Sequence, residues 1–244
     1  MRLSRVYVDL PLQAGIELTL PPAASVHLLR VLRLRPGAAL TLFNGRGGEF
    51  EATLLDGRGA GASVQVGSHH DIERESPLDI TLLQGISRGE RMDAVVQKST
   101  ELGVTRIVPV NCEFSVVRLN AAHAAKRVAH WQAVAIGACE QCGRNRVPRI
   151  DPIVDTATAA AAVAAAAIKL LLAPEADRKL VEVVQGTQIA ALLIGPEGGL
   201  SEREAAVATH YGFIGCRLGP RILRTETAPL AALAVLQAVD GDLR

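Results

Sequence analysis

Residues 189–230 constrain the fold more than any other stretch of the chain. They contain two short apolar runs, 190–194 and 214–218, and each run is followed at once by a Gly-Pro pair. A strand that ends in a glycine turn before a helix leaves backbone N–H groups exposed, and such corners commonly bind nucleotides. Two corners this close together predict one ligand held between two loops.

The helices after these corners have readable N-terminal signals. Ser201 precedes Glu204 by three residues, which is a capping box and predicts a helix from about residue 202. Gly212 is placed to end that helix in a left-handed conformation. After the second corner, Thr227 is the expected N-cap of a helix over 228–238.

Composition limits the possible partners. The 244 residues suffice for one large or two small domains, and a hydrophobic fraction of 49% provides an ample core. The formal net charge is only +1, so any nucleic-acid contact has to rest on local basic patches. The start of the chain lacks the apolar core of a signal peptide, and no apolar run convincingly spans a membrane. Four cysteines in this context favour a cytoplasmic protein.

The first 70 residues read as a small β-rich domain. Strand patterns at 6–8, 39–43, 49–55 and 62–66 alternate with turn signals such as Asn44-Gly45, which predicts a small barrel or sandwich. A helix is expected over 24–33, with Arg30 and Arg33 near its apolar face. A polar segment that ends in proline, with the linker placed at 71–77, marks the domain boundary. His69 and His70 are expected to be solvated in this polar region, because no further metal ligand lies at a suitable spacing.

From residue 78 the pattern changes to α/β. An apolar run at 80–84, an amphipathic helix at 91–102 and an apolar run at 106–110 form a βαβ unit, which predicts a parallel sheet with right-handed crossovers. A long helix is expected over 121–142, capped by Asn120 and ended by Gly143. The alanine-rich run 156–168 is expected to be helical.

Residues 118–149 form the densest basic zone, with six Lys or Arg against one acid. Arg144, Arg146 and Arg149 fall in a loop after the long helix, which favours contact with phosphate or RNA over a solvated helix face. Cys139 and Cys142 form a C-x-x-C motif at a helix end. A redox dithiol prefers a helix start and a zinc site needs four ligands, so bystander cysteines are the preferred interpretation.

Long motifs in the chain resemble the RsmE proteins, which are SPOUT-class methyltransferases of small-subunit ribosomal RNA. The resemblance rests on IGPEGGLSEREAA and LGPRILRTETAPLAA, and on SRGERMDAVVQKSTELGV, ACEQCGRNRVP, HLLRVLRLRPG and LFNGRGGEF. It covers nearly the whole chain, and residues 156–168 match least.

The resemblance implies an α/β domain at 78–244 with a C-terminal trefoil knot, preceded at 1–70 by a PUA-like β-barrel that helps to bind RNA. General topology rules disfavour knots, so the knot is implied by the resemblance alone. It further implies methylation of N3 of a uridine in 16S rRNA of the small (30S) ribosomal subunit, S-adenosylmethionine (SAM) as methyl donor, and a homodimer. No metal and no membrane are expected to take part.

The resemblance also implies site residues. Residues expected to bind SAM are Leu172, Ala173, Ile194, Gly195, Pro196, Gly198, Leu218, Gly219, Ile222, Leu223 and Thr227. Residues expected to contact RNA are Arg30, Arg33, Arg88, Arg144 and Arg146. Arg88 follows the strand at 80–84, where active-site loops of open parallel sheets lie.

Transfer of a methyl group to uracil N3 requires loss of the N3 proton and stabilisation of the imide anion. Arg224 is the first candidate for anion stabilisation and Arg221 the second, although either could instead pair with Glu226 or Glu197 to hold the knot. Glu197 is a candidate base, with ordering of the Gly195–Gly199 loop as the alternative role.

Two positions depart from the family pattern. Phe114 stands where the family often has arginine, and Ala173 stands where a polar residue is common. Three other functions stay open: a SPOUT enzyme for a different base or tRNA, a non-catalytic RNA-binding assembly factor, and a dinucleotide oxidoreductase. The last is disfavoured because no G-x-G-x-x-G follows a strand with an acidic residue about 20 residues on.

Overall fold

A computed structural model describes residues 3–57, 61–115, 120–184 and 186–243. The chain forms two compact units. The first contains residues 1–75 together with Cys139–Val147, and the second contains Ser76–Ala138 and 148–244. None of the described helices combines the length and the apolar character needed to cross a membrane.

The first unit is built on a five-stranded mixed sheet. Its strands are β1 (Ser4–Tyr7), β2 (Glu17–Thr19), β3 (Ala39–Phe43), β4 (Glu49–Asp56) and β5 (Ser63–His70), in the spatial order β1-β3-β4-β5-β2. The pair β1 and β3 is parallel and the other pairs are antiparallel. A short helix α1 (Pro22–Val26) continues into a π-helical turn (His27–Val31). Alternating apolar residues of the strands pack with Leu28 into one core.

The second unit is a six-stranded parallel sheet with helices between its strands. Its strands are β6 (Asp79–Gly85), β7 (Arg106–Val110), β8 (Arg149–Ile150), β9 (Ile168–Leu172), β10 (Ile189–Ile194) and β11 (Ile214–Cys216), in the order β11-β9-β10-β6-β7-β8. The helices are α2 (Arg91–Glu101), α3 (Ala121–Cys142), α4 (Thr156–Ala161), α5 (Leu180–Val183), α6 (Glu202–His210) and α7 (Ala228–Val239). The predicted parallel sheet and its βαβ units are confirmed.

Residues of β10 show why these strands read as continuous apolar runs. Leu193 packs in a cluster with Ala160 of α4 and Ala208 of α6. Successive strand residues point to opposite faces, and the neighbouring Leu192 is also fully buried. Both faces of the sheet are therefore covered at β10, as parallel sheets require.

Several predicted helix ends are confirmed by hydrogen bonds. Ser201 and Glu204 form both bonds of the capping box, and Gly212 takes a left-handed φ of 85° after α6. The Asn120 Oδ1 accepts the His123 N–H at 2.9 Å and so caps α3. Thr227 stands before α7, but its side chain makes no capping hydrogen bond, so that part of the prediction was wrong.

Two element predictions were wrong. The helix expected over 156–168 ends at Ala161, because Ile168 has to pair with Ala190 in the parallel sheet, and this pairing overrides the helix propensity of the alanines. His69 and His70 lie in β5 instead of a connecting segment, although both are exposed as predicted. The His69 ring stacks on Phe50 at 4.6 Å between centroids, and the His70 Nε2 lies 2.9 Å from the Glu51 Oε1.

Polar bonds explain why Cys139–Val147 belongs to the first unit. The Arg5 guanidinium donates to the carbonyl of Arg144 at 3.2 Å and to the Asn145 side chain at 2.6 Å. The Asn145 amide in turn donates to the carbonyl of Ile72 at 2.6 Å. Arg144 is only 5% exposed and forms an ion pair with Glu75.

Loss of the Arg144 side chain is expected to destabilise the first unit. Arg144→Ala leaves the Glu75 carboxylate, 14% exposed, without its charged donor, and this should lower the free energy of unfolding by roughly 2 kcal/mol. Arg146→Ala is the matched control, because the Arg146 side chain is 59% exposed and its ion pair with Glu73 should contribute at most about 1 kcal/mol. Urea unfolding followed by circular dichroism measures both, and equal stabilities would contradict the assigned role of Arg144.

Candidate functional site

A cavity of about 690 Å³ lies at the carboxyl ends of β9, β10 and β11 in the second unit. Open parallel sheets commonly bind ligands at this edge. The loops after the three strands and the segment before α7 form its walls. It is lined by Arg91, Leu171, Leu172, Ala173, Pro174, Ile194, Gly195, Pro196, Glu197, Gly199, Leu200, Ala205, Cys216, Arg217, Leu218, Gly219, Arg221, Ile222, Leu223, Arg224, Thr225, Glu226 and Ala228.

The loop after β10 approaches the end of β6 closely. A Cβ built on Gly85 would lie 2.6 Å from the Pro196 Cδ and 2.7 Å from the Gly195 carbonyl carbon. Only glycine at position 85 therefore allows the two backbones to meet. Within the loop, Gly195 has the same role, since its Cβ would lie 2.9 Å from the carbonyl carbon of Gly199.

A buried polar network connects three segments at this edge. The Thr225 hydroxyl donates to the Gly195 carbonyl at 2.8 Å and accepts from the Gln84 amide at 3.2 Å. The Ser87 Oγ lies 3.4 Å from the Thr225 Oγ1. All three side chains are at most 7% exposed. The segment before α7 is thus bonded directly to the ends of β6 and β10.

Glu197 is fixed by donors. Its Oε1 accepts the backbone N–H of Arg88 at 3.1 Å and the Arg91 guanidinium at 2.7 Å. Burial raises the pKa of this carboxyl, but hydrogen bonds from the backbone N–H groups of Arg88 and of Glu197 itself, and from Arg91, outweigh burial and lower the pKa below 4.5. A carboxylate with a lowered pKa is a weak base, so this geometry favours the loop-ordering role over the base role.

Glu226 differs from Glu197. Its Oε1 lies 3.8 Å from the Arg91 Nε and 3.9 Å from the Arg224 Nη1, which is too far for a hydrogen bond. Its Oε2 is buried, with no hydrogen-bond partner in the described part of the chain. The Arg224 side chain is 80% exposed, and Arg221 lies exposed in the same loop.

Most of the residues predicted to bind a cofactor come together here. Those that line the cavity are Leu172, Ala173, Ile194, Gly195, Pro196, Leu218, Gly219, Ile222 and Leu223. Among the described residues, Gly198 and Thr227 do not line it. Gly198 instead packs on Phe114, because a Cβ there would lie 2.9 Å from the Phe114 Cβ. Ala173 uses its backbone, donating its N–H to the Cys216 carbonyl at 2.9 Å.

Other residues of the site were missed from the sequence: Gln84, Ser87, Arg91, Thr225 and Glu226. A usable signal was present for two of them. Gln84 and Ser87 stand at and just after the end of an apolar strand, which is the same argument that selected Arg88. The roles of Arg91 and Thr225 depend on contacts with residues 106 and 30 positions away, and no local pattern encodes these contacts.

The arginines predicted to contact RNA lie in different environments. Arg30 and Arg33 are exposed in the first unit, and Arg88 is exposed in the second. Arg144 is buried against Glu75, and Arg146 is paired with Glu73 at 2.8 Å. Arg149 pairs with Asp151 at 2.7 Å, so all three arginines just after α3 are neutralised by carboxylates, and Arg118 lies outside the described residues. This geometry favours a structural role for Arg144.

Metal and redox chemistry find little support in the described residues. No three of their His, Cys, Asp or Glu side chains come close enough together to hold a metal ion. Cys139 and Cys142 are free, and burial raises the pKa of the Cys139 thiol to about 12. A reactive dithiol needs a thiolate near neutral pH, so the C-x-x-C motif does not read as a redox site.

Two family models match the chain. A family model described as an RNA methyltransferase domain matches residues 74–237, and one described as an RNA methyltransferase PUA domain matches residues 20–61. Among solved structures, a Legionella pneumophila protein assigned as a methyltransferase and solved in complex with SAM has a TM-score of 0.96 and 42% identity, with 100% of both chains covered. The ribosomal RNA small subunit methyltransferase E of Neisseria gonorrhoeae, bound to SAM, has a TM-score of 0.89 and 41% identity over the same full coverage.

Similarity at the sequence level extends along the whole chain. The chain is 34% identical over 242 residues to the ribosomal RNA small subunit methyltransferase E of Buchnera aphidicola subsp. Schizaphis graminum, and the match covers 99% of this chain and 98% of the relative. The two domains, the length and the fold of this chain therefore all agree with those of the proteins it matches. From these matches and the geometry of the cavity, we conclude that the chain belongs to the ribosomal RNA small subunit methyltransferase E family.

Proposed function

We propose that this protein is a SAM-dependent methyltransferase that methylates N3 of a uridine in the 16S rRNA of the small ribosomal subunit. The observation that carries the proposal is the cavity at the carboxyl ends of β9, β10 and β11. It belongs to a chain that shares its fold, at 41–42% identity, with two methyltransferases whose structures contain SAM. The base and the atom are taken from the family resemblance.

The residues present fit SAM. Leu172, Ile194 and Leu218 provide an apolar surface for an adenine ring. Gly199 and Gly219 line the cavity as well, and a Cβ built on either would meet no protein atom within 4 Å. A ligand can therefore approach the bare main chain at both loops. When bound, SAM supplies an electrophilic methyl group on a sulfonium.

The protein side chains then have separate tasks. Arg224 and Arg221 are proposed to face the uracil carbonyl oxygens and to stabilise the charge that develops when N3 loses its proton. Glu197 is proposed to hold the Gly195–Gly199 loop in shape through Arg88 and Arg91. Gly198 and Thr227 are proposed to support the cofactor loops from outside the cavity wall.

RNA binding is proposed to use exposed arginines of both units. Arg30 and Arg33 in the PUA-like β-barrel, residues 1–70, and Arg88 in the methyltransferase domain, residues 78–244, are free to contact phosphates. Residues 71–77 connect the two. Arg146 has to exchange its ion pair with Glu73 for an RNA phosphate, and Arg144 is proposed to hold its loop instead.

Three further properties belong to the proposal. The segment after β11 is proposed to form a trefoil knot, which the bond from Thr225 to Gly195 supports. The enzyme is proposed to be a homodimer, because Ile222 is 79% exposed at the cavity and a second subunit would cover it. It is proposed to act in the cytoplasm, consistent with four free cysteines.

Two measurements on the purified protein test the proposed function. Calorimetry is expected to detect SAM binding, and 30S subunits incubated with protein and SAM are expected to gain one N3-methyluridine in 16S rRNA by mass spectrometry. Naked 16S rRNA, assayed in parallel, reports whether the assembled subunit is required. Absence of SAM binding would instead indicate a non-catalytic assembly factor, and a methyl group on tRNA or on another base would indicate a different SPOUT activity.

A further inference from the structure

The reaction in the proposed function, on which this inference rests, needs a proton acceptor. Uracil N3 carries a proton, and its lone pair becomes available only when that proton leaves. A side chain that takes the proton has to be ionised and has to retain an oxygen lone pair that no protein donor occupies. Among the described residues that line the cavity, the only carboxylates are Glu197 and Glu226.

Glu197 is the weaker acceptor of the two. The Arg88 N–H and the Arg91 guanidinium both donate to its Oε1, and its loop depends on these bonds. Burial raises the pKa of this carboxyl, but these donors outweigh burial and lower the pKa, which opposes uptake of the N3 proton.

Glu226 retains the free lone pairs that a proton acceptor needs. Neither of its oxygens accepts a hydrogen bond from a described residue. The guanidinium groups of Arg91 and Arg224, at 3.8 and 3.9 Å, place positive charge beside the carboxylate without occupying its lone pairs. The Oε2 is buried and has no donor among the described residues, so a proton taken up there displaces no bond within the protein.

We propose that Glu226 is the catalytic base that accepts the N3 proton of the target uridine. The proton passes from N3 to the Glu226 carboxylate, and the N3 electron pair forms the new bond to the methyl carbon. The methyl–sulfur bond breaks in the same step and its electron pair remains on sulfur. Arg224, next to Glu226, balances the negative charge that moves from the carboxylate to the uracil oxygens. The Glu226 proton then leaves to solvent.

Glu226→Gln tests the proposal, because it preserves shape and removes the acceptor. Single-turnover methylation at saturating SAM is expected to be slower by about 100-fold or more. The matched control is Glu202→Gln on α6, an exposed position outside the cavity lining, which should keep the wild-type rate. A 16S transcript made with 5-fluorouridine should restore much of the lost rate, because fluorine makes N3 more acidic, and rising pH should restore it on the ordinary transcript.

A binding measurement distinguishes two roles of Glu226. The carboxylate either accepts the N3 proton or serves only to pair with the positive charge of the sulfonium. Calorimetry with SAM and with neutral S-adenosylhomocysteine is expected to give affinities for Glu226→Gln within about threefold of wild type for both compounds. A selective loss of SAM affinity, together with equal slowing on the uridine and 5-fluorouridine transcripts, would overturn the proposal. A wild-type rate in Glu226→Gln would overturn it as well.

A second variant covers the case in which Glu226→Gln does not fold. Glu226→Asp retains a carboxylate on a shorter side chain, so it is expected to keep a measurable rate that rises less steeply with pH than the rate of a variant without a base. A Glu226→Asp rate that depends on pH and on fluorine no more than the wild-type rate does would support the proposal, whereas full rescue by 5-fluorouridine would overturn it. Failure of the wild-type protein to methylate any RNA would instead reject the proposed function itself.

Discussion

Gly85→Ala is expected to slow methyl transfer by about 100-fold or more, since an error of about 1 Å in the placement of reacting groups has that effect. The added Cβ would lie 2.6 Å from the Pro196 Cδ and 2.7 Å from the Gly195 carbonyl carbon. Gly195 and Pro196 belong to the cavity wall, so the loop has to move away from the end of β6 and the cavity has to change shape. Calorimetry measures the affinity for SAM, and single-turnover methylation measures the rate of methyl transfer. Both should fall.

Gly137→Ala is the control for this substitution. Gly137 lies within α3, and a Cβ there would meet nothing within 4 Å. It should leave SAM binding unchanged and stabilise the protein by about 0.5–1 kcal/mol, as expected for alanine in place of glycine in a helix. If Gly85→Ala binds SAM as well as Gly137→Ala does, the two loops can separate without consequence and the close approach is not required.

Arg224→Ala is expected to slow methyl transfer by about 10²–10³-fold while SAM affinity and thermal stability stay close to wild type. The side chain is 80% exposed, and its nearest carboxylate, Glu226, lies 3.9 Å away, so the fold gains little from it. Its removal should therefore slow mainly the step in which negative charge develops on the uracil. Single-turnover rates with saturating SAM and RNA measure this effect.

Three other arginine variants show whether a slower rate in Arg224→Ala is due to that side chain in particular. Arg203→Ala, on α6 and outside the cavity lining, should have the wild-type rate. Arg224→Lys should recover only part of the rate, because an ammonium keeps the charge and lacks the planar fork. Arg221→Ala tests the second candidate for anion stabilisation. If it slows methyl transfer more than Arg224→Ala does, Arg221 has the larger part in stabilising the anion. Normal SAM binding together with a wild-type rate in Arg224→Ala would show that Arg224 has no part in the chemistry.

Local signals in the sequence predicted much of the cavity. Gly195 and Gly219 each follow an apolar strand, and the capping box of Ser201 and Glu204 marks where the helix begins after the first loop. These features depend on neighbours within a few residues, and such neighbours are readable in a single chain. The same holds for the parallel sheet, because each of its strands is a buried apolar run.

Contacts between distant segments could not be predicted in this way. Arg144 sits in a basic loop and was read as an RNA contact, but Glu75, which is 69 positions earlier, neutralises it. Glu226 was considered only as a partner of Arg224, and its lack of hydrogen-bond donors is visible only when the surrounding loops are in place. The alanine-rich helix was predicted too long because strand pairing at Ile168 lies outside the reach of local propensity.

The Thr225 hydroxyl has a consequence for how the cavity moves. It is bonded both to the loop after β10 and to the side chain at the end of β6, which precedes it by 141 positions. Displacement of the segment that carries Thr225 breaks its bonds to both of the other segments, so we expect the three to move together. We therefore expect a ligand to be admitted on the side of the exposed residues Arg221, Ile222 and Arg224, because opening at the buried junction would break its hydrogen bonds.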